Sequence, residues 1–293
     1  MPHYVEPVFR PPSEARSLIF QITIGCSQNH CGFCGMYKGK RFRLKPVKDV
    51  VEEIAAIPAH YRLQVDRVFL ADGDAIVYPF DGLMAILDLL AATFPRLTRV
   101  GSYASPNSLT TKSAEELAIL RGKGLRILYF GLESGDDATL QRVGKGFDAD
   151  TMAELALKAR RAGMKLSVTG ILGLAGQERS LEHARATAAW VNRVSPEYFS
   201  LLTLFHRHND RFIQSLNQCT RRQLMMEARE IVTHLHPNRT ILRSNHVSNF
   251  LELAGSYPKD RERLMADVDT ALARAERIPG FLEGVPEYGE EYY

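Results

Sequence analysis

No stretch of this sequence stays apolar for the roughly 18 residues that a membrane-spanning helix needs, and the opening MPHYVEPVFRPP lacks the basic and apolar regions of a secretion signal. The expectation is a cytoplasmic chain with no membrane partner. Cysteine is scarce: four in 293 residues, three of them close together, which excludes a disulfide framework. Charge of one sign is not in excess either, since a net charge of +3 demands no polyanionic partner. Low-complexity tracts and internal linkers are missing. What is present is an ordinary globular composition, 45% hydrophobic and 24% charged, sufficient to bury a substantial core.

The scarce cysteines are the most informative residues. Gly25 to Tyr37 reads GCSQNHCGFCGMY and puts Cys26, Cys31 and Cys34 on one short curl, with glycines that let the backbone bend tightly. Clustered thiolates favour zinc or iron–sulfur ligation. Three ligands without a second cysteine pair would leave one iron of a 4Fe–4S cluster open to other chemistry. His30 lies in the same curl, so a structural Cys3His zinc site made by Cys26, His30, Cys31 and Cys34 is an alternative. Cys219 stands alone and is expected to be a structural thiol.

Around the curl, apolar strands alternate with amphipathic helices. Strands are expected at Leu18–Ile24, Arg67–Ala71, Leu97–Tyr103, Leu125–Leu132, Lys165–Leu172 and Tyr198–Phe205. Helices are expected at Val47–Ile57 and Phe80–Phe94, after capping boxes at Ser113 and Thr151, and at Ser180–Val194. Near-continuous apolar strands separated by helices imply a parallel sheet covered by helices. The expected fold is α/β, a partial (β/α)6 barrel over residues 17–205, preceded by an irregular lead-in (1–16) across the barrel surface. Residues 206–293 are expected to form a helical extension closing the barrel, with helices at 222–235 and 259–277 and an acidic, aromatic, mobile end from Pro279 to Tyr293.

Residues at the carboxyl ends of barrel strands gather at one mouth. After the successive strands come the cysteines, then Asp72-Gly73-Asp74, then Ser105 and Asn107, then Glu133 and Ser134, then Gly173 and Gly176, then His206 and His208. A carboxylate directly after a strand as apolar as LRILYFGL has to be solvated by a cleft or bound by donors, which singles out Glu133.

These residues resemble the motifs of the radical S-adenosylmethionine (SAM) superfamily. Its cluster loop, C-x-x-x-C-x-aromatic-C, is matched with Phe33 in the aromatic slot and with one residue more between the first two cysteines, Ser27 to His30. Asp72-Gly73-Asp74 stands where the family has Gly-Gly-Glu. Gly131 to Gly135 and Gly173 to Gln177 resemble stretches of enzymes related to oxygen-independent coproporphyrinogen oxidase and to the tRNA-modifying elongator-type enzymes. The resemblance covers about residues 17–205 and implies the same six-unit partial barrel.

It further implies a 4Fe–4S cluster on Cys26, Cys31 and Cys34, with S-adenosyl-L-methionine held by Phe33, Asp72, Gly73, Asp74, Glu133, Ser134, Ile171 and Gly173. The implied chemistry is reductive cleavage of SAM to a 5′-deoxyadenosyl radical that takes hydrogen from a substrate, an oxidoreductase-like iron–sulfur enzyme. The implied partners are a reductant such as flavodoxin or ferredoxin and a substrate, expected to be a small molecule. On the substrate side Arg243 and His246 are the catalytic candidates, in a polar stretch of the C-terminal region that could close the mouth. The competing reading is a non-catalytic zinc or iron–sulfur module, associated with RNA through the basic residues Lys38, Lys40, Arg41, Arg43, Lys45 and Lys48.

Overall fold

The computed structural model describes residues 3–286. The chain runs β1 (Leu18–Gln21), β2 (Thr23–Ile24), β3 (Arg43–Leu44), α1 (Val47–Ala55), α2 (Ala59–Arg62), β4 (Arg67–Ala71), α3 (Phe80–Thr93), β5 (Arg99–Ala104), α4 (Pro106–Thr110), α5 (Ala114–Gly122) and β6 (Leu125–Glu133). It continues with α6 (Asp137–Arg142), α7 (Ala149–Arg161), β7 (Lys165–Leu172), α8 (Ser180–Val194), β8 (Tyr198–Thr203), α9 (Asp210–Gln214), α10 (Arg221–His234), β9 (Ile241–Arg243), β10 (Ala254–Ser256) and α11 (Arg261–Ala275). Two compact units result, one of residues 1–29, 36–130 and 154–166, the other of 30–35, 131–153 and 167–293. This division cuts across the expected boundary at residue 205.

In the first unit β1 pairs with β4 in parallel, Leu18 beside Val68, and β4 pairs with β5, Val68 beside Val100. Helix α3 buries Leu83, Ile86, Leu87 and Leu90, the stripe its periodicity predicts, each worth about 2 kcal/mol of burial. Phe20, Phe69 and Phe94 are fully enclosed. The expected single strand Leu18–Ile24 is broken. Ile22 donates to the Ala71 carbonyl at 2.7 Å and accepts from Lys45 at 2.9 Å, and the chain passes there from β1 into the small antiparallel pair of β2 and β3.

The lead-in is also more than a surface strap. Glu14 is wholly buried and accepts from Arg99 Nη2 (2.6 Å), the Tyr129 hydroxyl (2.6 Å) and the Ser17 hydroxyl. Burial and this carboxylate push the Tyr129 pKa well above its ordinary value.

In the second unit β7 and β8 are parallel, Val168 beside Phe199, and β8 is parallel to β9. Strands β9 and β10, which pair antiparallel, are an addition to the expected helical extension. Each is only three residues long, too short to show a period. The capping box at Ser113 is present, its hydroxyl accepting from the Glu116 amide at 3.1 Å. Thr151 does not cap α7; its amide is instead held by the Asp148 carboxylate at 2.6 Å.

Helix α10 opens with Thr220 and Gln223 in a further capping box. The Arg221 and Arg222 amides donate to the carbonyls of Gly284 (2.9 Å) and Leu282 (3.0 Å), while Leu282 packs with Met225 and Ala275. Of the end expected to be mobile, Pro279 to Tyr293, residues 279–286 are thus a run of turns tied to α10, and residues 287–293 lie outside the described residues.

Replacing Glu14 with Ala leaves Arg99 and Tyr129 without their shared acceptor. Removing one member of a buried pair costs about 3 kcal/mol, and urea unfolding of Glu14→Ala should show a loss of that size. A loss below about 1 kcal/mol, the level of an exposed pair, would contradict the anchoring role of the lead-in.

Candidate metal and cofactor site

The first unit carries Cys26 and the turn after β4. Asp72 is fully buried, and its Oδ2 accepts from Gln21 Nε2 (2.9 Å), the Gly25 amide (2.9 Å) and Lys40 Nζ (2.8 Å). Burial raises its pKa, opposed by the Lys40 ammonium and the Gly25 amide. Its Oδ1 is buried with no hydrogen-bond partner among the described residues. The Asp72 amide donates to Thr23 Oγ1 (3.1 Å), and the Gly73 amide to the Gly25 carbonyl (3.2 Å). Gly25 itself has φ of 78°, a left-handed conformation that suits glycine.

Gly73 allows a close approach next to the loop. A Cβ there would lie 2.5 Å from the Tyr37 ring and 2.9 Å from Cys26 Cβ, so only glycine lets Cys26 settle on the strand end. Asp74 is equally enclosed; it accepts from the Ser27 hydroxyl, the Ser105 amide (2.9 Å) and the Ser105 hydroxyl (2.7 Å), and burial raises its pKa. Asn107 donates to Ser27 Oγ at 3.0 Å. The structure therefore employs Asp72 Oδ2 and the Asp74 carboxylate to hold the loop. Both side chains are short enough to turn back under the loop and hold it.

In the second unit Cys31 is buried and Cys34 half-buried, and the Cys34 amide donates to the Cys31 carbonyl at 3.3 Å. Gly32 donates to the Val143 carbonyl at 2.8 Å, and the Phe33 carbonyl accepts from Asn209 Nδ2 at 2.7 Å. A Cβ on Gly35 would overlap the Arg207 carbonyl oxygen at 1.5 Å. Asn209 was not singled out from the sequence, yet it fixes the middle of the cysteine arc. Phe33 packs on a cluster of Val143, Ile171, Leu174, Phe212, Ile213 and Leu216, so the structure brings Phe33 and Ile171 together.

Glu133 ends β6 with φ of 65°, a strained conformation for a non-glycine residue. Its carboxylate pairs with the buried Lys145 at 3.2 Å and folds over Gly131, where a Cβ would stand 2.1 Å from Oε1. Ser134 is fully buried, its hydroxyl 2.7 Å from His183 Nδ1 and accepting from the Asp136 amide at 2.9 Å. Gly173, with φ of 79°, donates its amide to Glu227 Oε1 at 2.8 Å.

Glu227 and His183 are wholly buried and were missed. The signal was present, because each is a polar residue on the apolar stripe of its helix, Glu227 among Leu224, Ala228 and Ile231, His183 among Ala184, Thr187 and Val191. Burial drives the Glu227 pKa up to about 7 and the His183 pKa down to about 4. Cys219 is likewise buried, and burial raises its thiol to about 12, so it is inert at neutral pH.

Of the substrate-side candidates, Arg243 is exposed with Nη1 on the Leu242 carbonyl at 2.8 Å. His246 is half-buried, 2.8 Å from the Ser248 hydroxyl and stacked at 6.1 Å on Phe205, with burial lowering its pKa. The basic segment is partly consumed: Lys40 pairs with Asp72, Lys45 with Glu53, and Lys38 donates to the Asn29 carbonyl at 2.9 Å. That weakens a polyanion-binding reading.

The donor set suits soft-metal ligation, since Cys26, Cys31 and Cys34 are unbridged thiols. A structural zinc site would need His30 as a fourth ligand beside the cysteines, and His30 is exposed. A four-iron cluster makes a different demand, one thiolate on each of three irons. At the turn after β4 the buried Asp72 oxygen, without a hydrogen-bond partner among the described residues, is a feature that a cationic ligand group fits.

A family model described as the Radical SAM superfamily matches residues 20–188. An uncharacterized methyltransferase of Pyrococcus horikoshii is 24% identical over 59% of this chain and 36% of its own length. Coproporphyrinogen III oxidase (HemN) from Escherichia coli aligns with a TM-score of 0.58 at 18% identity, over 74% of this chain and 50% of that one. The methyltransferase TsrM from Kitasatospora setae, solved with cobalamin and a [4Fe–4S] cluster, aligns at 0.54 and 17% identity over 92% and 55%. These structures show the fold, an α/β partial barrel. The chain spans about a third to a half of the length of the curated relatives it matches. No helix among the described residues is long and apolar enough to cross a membrane.

Glu227 and His183 set a pH signature. Folded, Glu227 keeps its proton up to about pH 7, whereas the unfolded chain releases it above about 4.5, so its contribution to stability falls as pH rises through that window. His183, with its folded pKa depressed to about 4, contributes in the opposite sense, losing stability as pH falls from about 6.5 to 4. Glu227→Gln removes only the first slope. Its unfolding free energy relative to wild type should rise by up to about 1.4 kcal/mol per pH unit between pH 4.5 and 7. A difference that stays flat across this range in urea titrations would show that the carboxyl is ionised in the fold.

Proposed function

The chain belongs to the radical SAM superfamily, and from that premise we propose that it is an enzyme that binds a 4Fe–4S cluster through Cys26, Cys31 and Cys34 and uses it on S-adenosylmethionine. Cluster and SAM, when bound, supply reductive cleavage of SAM to a 5′-deoxyadenosyl radical, which abstracts hydrogen from a substrate. The observation that carries the reading is Gly73, which has no room for any side chain because Cys26 and Tyr37 lie on it. That contact seats the first cysteine of the motif on the end of β4.

The other residues divide between holding the loop and meeting the cofactor. Asp72, Asp74 and Asn209 fix the cysteine curl by accepting or donating at its backbone and at Ser27. The Asp72 oxygen that lacks a hydrogen-bond partner is the acceptor side for the methionine ammonium group. Glu133, steadied by Lys145, is the carboxylate for the ribose hydroxyls, and Ile171 with Gly173 forms an apolar and backbone surface for adenine. Phe33, packed on the same cluster as Ile171, excludes water from the cysteine arc.

Enzymes of this superfamily need a reductant and a substrate; we propose a flavodoxin or ferredoxin for the first and a small molecule for the second. His246, held by Ser248 and kept neutral by burial, is the proton carrier we place on the substrate side. Arg243 points away along its own backbone and has no part in this reading.

Reconstituted with iron and sulfide without oxygen and then reduced, the protein should release 5′-deoxyadenosine and methionine from SAM. Changing any of Cys26, Cys31 or Cys34 to Ala should lower bound iron and abolish that release, while Cys219→Ala leaves both unchanged. A colourless protein with stoichiometric zinc and intact SAM would overturn the assignment.

A further inference from the structure

Beneath the ends of β6 and β7, inside the second unit, runs a buried polar chain that an apolar core would not contain. Glu227 Oε1 takes the Gly173 amide at 2.8 Å and lies 3.4 Å from His183 Nε2, while Oε2 takes the Ser180 hydroxyl. His183 Nδ1 meets the Ser134 hydroxyl at 2.7 Å, and Ser134 Oγ holds the Asp136 amide at 2.9 Å. At 3.4 Å from that oxygen Nε2 makes no hydrogen bond among the described residues, so His183 meets Glu227 by close contact and is hydrogen-bonded to Ser134 through Nδ1. Ser134, His183 and Glu227 are each fully enclosed.

This chain does something the apolar neighbours could not. Gly173 is in the left-handed region with Leu224 Cδ2 only 2.8 Å from where a Cβ would stand, so its backbone lies directly on α10. Its amide points at α10 and finds one acceptor there. From the same carboxyl the connection continues through α8 to the residue directly after Glu133. Both ends of the chain thus belong to strand termini that face the cofactor in the function proposed above, while none of its members needs to touch the cofactor.

We propose that Glu227 is a positioning residue for SAM: it fixes the Gly173 amide and, through His183, the turn at Ser134, so that the adenine-side and ribose-side strand ends keep one separation. The inference rests on the proposed function and deepens it. A glutamine at 227 can do the same work, with its oxygen on the Gly173 amide and its nitrogen toward Ser180. Alanine cannot.

The test compares reconstituted wild type, Glu227→Gln and Glu227→Ala by iron content, by SAM dissociation constant in equilibrium dialysis, and by amide hydrogen exchange over residues 134–136 and 173–177. All three should hold the same iron. Glu227→Gln should bind SAM within about twofold of wild type and Glu227→Ala about tenfold more weakly, the effect of one stranded buried donor. Faster exchange at both segments is expected in the Ala variant only. Wild-type affinity in cluster-loaded Glu227→Ala, whatever its melting temperature, would overturn the positioning role and leave the proposed function intact. Failure of wild type itself to bind SAM would overturn both. Should Glu227→Ala not fold, His183→Gln, which cuts the link to Ser134 but leaves the Gly173 amide held, takes its place. It should speed exchange at 134–136 without speeding it at 173–177, and unchanged exchange at 134–136 would overturn the link.

Discussion

The Asp72 carboxylate and the donors it gathers are the constraint on which the cysteine loop depends. A buried carboxylate is costly unless it is paired and hydrogen-bonded. Here one oxygen collects an ammonium, an amide nitrogen from a side chain and a backbone N–H, drawn from β1, the residue before Cys26, and the far side of the loop. The curl is therefore closed on itself by electrostatics before any metal arrives. Asp74 repeats the pattern with neutral donors, Ser27 and Ser105, and ties the same loop to the start of α4. These two residues resemble a ligand-binding acidic pair in the sequence and act in the fold as clamps.

The second unit solves a related problem without an opposite full charge. Glu227 and His183 are set against each other in an interior where neither wins solvation, and burial pushes their proton affinities in opposite directions. Over the middle of the pH range burial favours the uncharged form of both, a protonated carboxyl and a neutral imidazole. Polar groups at these positions satisfy a glycine amide and a turn that would otherwise be stranded.

Much of this was legible from the residues alone. The cysteine spacing, the later strands such as β6 and β7 and the stripe of α3 follow from side-chain types and periods that local physics enforces. Where the reading failed, the cause was contact that a linear pattern does not carry. Asp148, three residues ahead of Thr151 on the turn, accepts from the Thr151 amide and so takes the capping role itself. Strands β9 and β10 exist through pairing to β8 and to each other. Ser134 stands at a strand end, and only the neighbouring helix reveals the partner of its hydroxyl. Glu227 and His183 were visible as polar interruptions of apolar stripes, the kind of local inconsistency that tends to mark a functional position.

Helix α10 owes its first amides to the carbonyls of Leu282 and Gly284. During synthesis, then, the parallel strands emerge and pair while the helix that supports Gly173 still lacks its final partners. Its wall is completed last, when the chain near residue 284 clears the ribosome. A nascent protein arrested before that point would own the cysteine curl in finished form and an unfinished seat for whatever the curl serves.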